Sequence, residues 1–255
     1  MSARRIRIGD LWIDALGFEQ ALDAIERLAL SGAGGAVYTP NVDHLVTAER
    51  SPAFREAYAA ASLSLADGMP LLWAARLLGT PLPAKVSGSD LFEPLMARAA
   101  AVGLGVYLLG GTPEVSAAAE TQLTSAGVRI TGRSSPLIQA TGGPEEAALA
   151  AQIRESGARL AVIALGSPKQ ELFIHRNRQQ LGPVVALGLG AAMDFATGAV
   201  RRAPRLLQVA GLEWLFRLAQ EPRRLARRYL VDDRRFAAIL WRTRRTPRAE
   251  RQQGY

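Results

Sequence analysis

The stretch Ser62–Leu72, "SLSLADGMPLL", reads as a short apolar strand that stops at Asp67-Gly68-Met69-Pro70. Asp and Gly are favoured turn residues, and Pro suits the first position of a helix. Taken alone, the four residues are explained by a plain turn. The same rhythm, however, recurs along the chain. Apolar runs at 36–39 (AVYT), 63–66 (LSLA), 105–109 (GVYLL), 128–131 (VRIT), 160–165 (LAVIAL) and 184–188 (VVALG) read as strands. Helical patterns lie near 43–61, 69–79, 89–102, 113–126, 144–156 and 169–181. Asn41 or Asp43 suits the cap of the first, and Pro113 and Pro168 start two others. Ahead of these, "RIRIGDLWID" reads as a small β-hairpin and 18–30 as a helix. Buried strands alternating with helices predict a Rossmann-like α/β fold, a parallel sheet with helices on both faces.

In open parallel sheets, ligands bind beyond the carboxyl ends of the strands. The segments that follow these strands are "TPNVDH", "DGMP", "GGTPE", "GSPKQE" and "GLGAAMD". Each alone is an ordinary strand-to-helix turn. Five on one rim predict a site, and Asp67 stands within it.

The chain has 255 residues, is 49% hydrophobic and 21% charged, and suits one large α/β domain or one domain with an appendage. Without cysteine it has no disulfide or thiolate chemistry. The basic N-terminus lacks the apolar core of a secretory signal, and no apolar run approaches a membrane-spanning length. A cytoplasmic protein is expected. The net charge of +8 is unevenly placed: residues 201–255 hold 15 Arg against 5 acids, whereas residues 1–200 are close to balanced. The expected division is a catalytic domain over 1–200 and an Arg-rich helical appendage over 201–255. Such a tail suits an anionic partner, either nucleic acid or lipid head groups. Of the 31 basic residues only Lys85 and Lys169 are lysines, and both sit in glycine-containing loops where an ammonium can meet a phosphate.

Several chemistries lack their signatures. "LLGGTPEVS" and "GLGAAMD" fall short of the dinucleotide fingerprint, and no Walker A motif or Asp-x-Asp pair is present. His44 and His175 lie in helical patterns without metal-ligand spacing and read as structural. What remains is phosphate cradling by glycine amides and helix N-termini, with Lys and Arg as charge partners and Asp67 as a base. That set suits group transfer from a diphosphate donor without a metal.

"YTPNVDHL", "LADGMPLL", "VSGSDL", "VYLLGGTP", "ALGSPKQE", "GLGAAMDFATG", "RAP" and "GLEWLFRLAQEPRRLARRYL" occur in the order of the WecG/TagA/CpsF family (glycosyltransferase family 26), which the chain resembles over roughly residues 5 to 235. The resemblance implies an inverting, metal-independent glycosyltransferase with no cofactor. It would move an N-acetylhexosamine, its uronic acid or a hexose from a UDP-sugar to a polyprenyl-diphosphate-linked saccharide. The setting would be the inner face of the cell membrane, in teichoic acid, common antigen or exopolysaccharide synthesis. Asp67 would be the general base, with Thr39 and Asn41 lining its pocket. Substrate would be held by Lys85, Gly110, Gly111, Gly166, Lys169, Gln170, Glu171 and Asp194. Arg217, Arg224 and Arg227 would close over the UDP diphosphate.

Two departures stand out. Lys85 replaces the arginine of many relatives, keeping charge but losing bidentate geometry. The stretch "GRSSPLIQATGGPEE" lacks the usual Gly-Tyr-Phe. In the tail, Leu212, Leu215, Phe216 and Ala219 make an apolar face, Arg217, Arg224, Arg228, Arg235 and Arg242 a basic stripe, and Trp214, Tyr229 and Trp241 add amphipathic aromatics. That pattern fits an anionic membrane surface. A nucleic-acid-binding module is the competing reading, but it leaves the five rim motifs unexplained, so no nucleic acid is expected. A homo-oligomer is compatible with the chain.

Overall fold

At Gly9-Asp10 the basic N-terminus folds back on itself, pairing β1 (Arg4–Ile8) with β2 (Leu11–Asp14) in the expected hairpin. The computed structural model describes residues 4–201, 203–204, 207, 215–216, 218 and 233–254. Helix α1 (Phe18–Ser31) buries Ala21, Leu22, Ile25 and Ala29 on one face and ends at Gly32 in the left-handed conformation. The first strand of the main sheet follows as β3 (Gly35–Tyr38).

The expected helix over 43–61 is two helices, α2 (Val42–Arg50) and α3 (Pro52–Ala59). Pro52 lacks an N–H and forces the residue before it away from helical geometry. Ser51 accordingly turns extended, and its hydroxyl caps α3 by accepting from the Phe54 N–H at 3.2 Å. Strand β4 (Leu63–Ser64) is short, but main-chain bonds from Leu65 N to Tyr38 O and from Asp67 N to Pro40 O, both 2.8 Å, continue the pairing to the rim.

The chain proceeds through α4 (Met69–Leu77), α5 (Gly88–Ala101), β5 (Gly105–Gly110), α6 (Pro113–Ser125), β6 (Arg129–Ser134) and α7 (Glu145–Glu155). It then forms β7 (Leu160–Ala164), α8 (Lys169–Arg176), α9 (Arg178–Leu181), β8 (Val185–Gly188) and α10 (Ala192–Ala196). Six parallel strands lie in the order β4-β3-β8-β7-β5-β6. The expected Rossmann-like α/β fold is therefore present.

Alternate residues of each strand feed different cores. Tyr107, Leu109, Ala161 and Ile163 pack with the hairpin, α2 and α3 on one face. Val106, Leu108, Leu160 and Val162 pack with α1, α5 and α6 on the other. Both faces are covered, as a parallel sheet requires.

The end of the chain returns to its beginning. Helix α11 (Asp233–Arg245) packs on α2 and β1 and buries Ile239 in the hairpin-side core. Thr243 Oγ1 accepts from the Gly9 N–H at 2.9 Å. After a 3₁₀ turn at Arg248–Arg251, β9 (Gln252–Gly254) pairs antiparallel with β1, with Ile6 opposite Gln252. A small sheet of order β2-β1-β9 results. Buried Asp14 ties it to the main sheet, accepting from Arg5 Nε at 2.9 Å and from the Ser64 N–H at 2.7 Å. Among the described residues, no helix is long and apolar enough to cross a membrane.

Candidate active site

The glycine behind Asp67 has a geometric reason. Gly68 sits at φ +97°, a conformation that side chains disfavour, and from there the chain turns directly into α4 with Pro70 in its first turn. The turn leaves Asp67 part-exposed at the carboxyl end of the β4 segment. Its main chain is bonded to Pro40, so the Thr39-Pro40-Asn41 stretch lies alongside. Thr39 is buried, and Asn41 caps α2, its Oδ1 accepting from the N–H groups of Asp43 (3.0 Å) and His44 (3.4 Å).

The loop before α5 joins the same place, through a bond from Val86 N to Ala66 O at 2.7 Å. Within it, Lys85 Nζ pairs with Asp90 Oδ2 at 3.0 Å, and Ser87 Oγ donates to that same oxygen at 2.6 Å. The ammonium is thus oriented by an acid of its own motif.

On the other side of the rim, β5 and β7 end almost in contact. Gly110 has φ +100°, and a Cβ there would stand 2.3 Å from the Ala164 carbonyl oxygen. The following Gly111 N–H donates to that oxygen at 3.2 Å. Gly166, Pro168 and Lys169 lead into α8, with Lys169 exposed at the first helical position. Gln170 is buried and bridges two loops: its Nε2 donates to Glu171 Oε1 at 2.8 Å, and its Oε1 accepts from the Gly190 N–H at 3.2 Å. Gly190 precedes α10, which carries half-buried Asp194, whose carboxyl is pushed upward by desolvation.

Beneath this surface lies a layer that sequence reasoning missed. The Tyr38 and Tyr58 rings stand 5.0 Å apart, and His44 Nδ1 is 2.7 Å from the Tyr58 hydroxyl. The Tyr38 hydroxyl donates to the Glu171 carbonyl at 3.3 Å. Glu171 itself is fully buried, and burial pushes its carboxyl up to about 7. Its Oε2 has no hydrogen-bond partner among the described residues. Burial first, then the nearby Glu171, Tyr38 and Asp67, pushes the Tyr58 phenol well above its ordinary value. Only the aromatic spacing Tyr38…His44…Phe54…Tyr58 could have signalled this layer, and it reads equally as core.

The structure therefore brings together Thr39, Asn41, Asp67, Lys85, Gly110, Gly111, Gly166, Lys169, Gln170 and Asp194 on one rim, and puts Glu171 below it. Arg217, Arg224 and Arg227 lie outside the described residues. Among the described residues, no group of three His, Cys, Asp or Glu could hold a metal ion.

The model of the glycosyl transferase WecG/TagA/CpsF family matches residues 6–250, nearly the whole chain, and the chain belongs to that family. It is thus a glycosyltransferase of cell-surface polysaccharide synthesis.

Proposed function

We propose that the rim transfers a sugar from a UDP donor to a hydroxyl of a polyprenyl-diphosphate-linked saccharide, with inversion and without a metal. Asp67 takes the proton of the acceptor hydroxyl. The acceptor oxygen bonds to the anomeric carbon from the face opposite the leaving group. The bond from that carbon to the diphosphate breaks, and its electrons leave with UDP. Lys85, Lys169, the amides of Gly110 and Gly111, and Arg217, Arg224 and Arg227 meet the charge that grows on the diphosphate. Glu171, being fully buried, acts through Gln170 rather than on substrate.

What carries this reading is the convergence on one rim of part-exposed Asp67, at the carboxyl end of its strand, with two lysines and the glycine turns. The absence of an Asp-x-Asp pair from the sequence favours cationic side chains over a bound metal. The basic tail, with Trp241 exposed on α11, fits association with the inner membrane face, where such an acceptor is held.

The test is incubation with UDP-sugars and a lipid-diphosphate acceptor in excess EDTA, with the anomeric configuration of the product read by NMR. An inverted product formed at undiminished rate is expected. Retention, or loss of activity restored by Mg²⁺ or Mn²⁺, would contradict the proposal.

A further inference from the structure

One cavity has no part in this chemistry. Helix α2 has its capped start at the rim and its end, Glu49-Arg50, about 12 Å away at 1.5 Å per residue. At that far end, the β1–β2 turn, the last residues of α2 and the inner side of α11 line a cavity of about 450 Å³. Among the described residues, five arginines and two acids line it, an excess of three positive charges. Both acids are already engaged: Asp10 pairs with Arg7 at 3.5 Å, and Glu49 pairs with Arg242.

Arg251 is the decisive residue. It is only 6% exposed, and its guanidinium donates to two carbonyls, Thr246 O at 2.9 Å and Leu78 O at 2.8 Å. Among the described residues, no carboxylate pairs with it. Burying a cation without a counter-ion is costly. An anion in the cavity would supply the missing charge.

We propose that this cavity is an anion site, separate from the rim, that takes a phosphate group: either that of an anionic lipid headgroup or a free phosphate. Guanidinium forks from different elements match phosphate oxygens in a way that single ammonium groups do not. Arg50 on α2 and Arg235 on α11 line it from two elements, and both are exposed. The volume exceeds that of a bare phosphate and lies in the range of small-molecule sites, so a phosphate with a small polar body fits. On the outer face of the same helix, Trp241 is 56% exposed with Arg245 stacked 3.4 Å over its ring.

The test uses the full-length protein, and dependence on Arg50 and Arg235 marks binding at the cavity rather than at the rim. Inorganic pyrophosphate is titrated calorimetrically, and phosphatidylcholine vesicles with or without phosphatidylglycerol are tested by co-sedimentation. Arg50→Gln/Arg235→Gln should weaken the bound probe by about tenfold or more. A control losing equal charge outside the cavity, Arg244→Gln/Arg248→Gln, should leave pyrophosphate binding within about twofold and weaken vesicle binding less than the cavity pair does. Glu49→Gln, which releases Arg242, should tighten binding roughly threefold. Circular dichroism checks that each variant is folded. Cavity-dependent pyrophosphate binding would assign a free phosphate; cavity-dependent vesicle binding without it would assign a lipid headgroup. Binding of neither probe, or an equal loss in the control, would overturn the proposal.

Discussion

The two ends of α2 are assembled in opposite ways. At its start, the rim is made of contiguous motifs, each following its own strand and held by main-chain bonds such as Asp67 N to Pro40 O and Gly111 N to Ala164 O. At its end, the arginine-lined cavity is made of side chains from positions 7, 10, 49, 50, 235, 242 and 251, brought together by docking of the C-terminus on the N-terminal hairpin. The rim is a backbone structure that presents a few side chains. The far end is a side-chain structure that needs the whole chain. Substitutions should therefore act differently at the two places.

The largest effect is expected at Gly110. Valine there would combine a disfavoured positive φ with a clash against the Ala164 carbonyl, costing roughly 4 kcal/mol or more. Denaturant unfolding of Gly110→Val should show that loss; near-normal stability would mean that the rim backbone is more pliable than described. Ile239→Ala should come next, at about 2–4 kcal/mol, because it empties a fully packed position between α11 and the hairpin. Its turnover per folded molecule should be unchanged. A large fall in turnover with intact folding would erase the distinction between the two ends.

A smaller effect, with a defined pH signature, belongs to the buried layer under the rim. Burial raises the Glu171 carboxyl from about 4.5 to about 7, so the folded state binds its proton more tightly than the unfolded chain does. That contribution is fully present below about 4.5 and is lost as pH rises through about 7. Glu171→Gln, neutral at every pH, should remove the slope and gain on the order of 2 kcal/mol over the parent above that window. Urea titrations at several pH values would check it. Parallel pH curves for the two proteins would show that Glu171 is ionised at no cost.

The strands and most helices were legible because each is a local pattern: a short apolar run, then a cap or proline, then a helical period. The break of one expected helix at Ser51-Pro52 is also local, but the apolar spacing continues across it and hides it. The rim was legible for the same reason, since in a parallel sheet every strand-to-helix turn falls on one edge. Glu171 is different. The motif "GSPKQE" marks Gln170 and Glu171 alike, and only the packing of α8 against β3 and β8 puts one at the surface loops and the other beneath. The return of the C-terminus was not legible at all. "QQG" has no strand pattern, and its pairing with β1 is decided by contacts some 250 residues apart in sequence.

In the proposed transfer, Asp67 removes the acceptor proton from a rim whose grip on UDP does not depend on it. The direct measurement is single-turnover transfer by Asp67→Asn beside UDP protection against thermal unfolding in the same preparation. The expected result is a fall in rate of about 10²–10⁴-fold with UDP protection intact. Transfer at a near-normal rate in the variant would show that Asp67 is not the base.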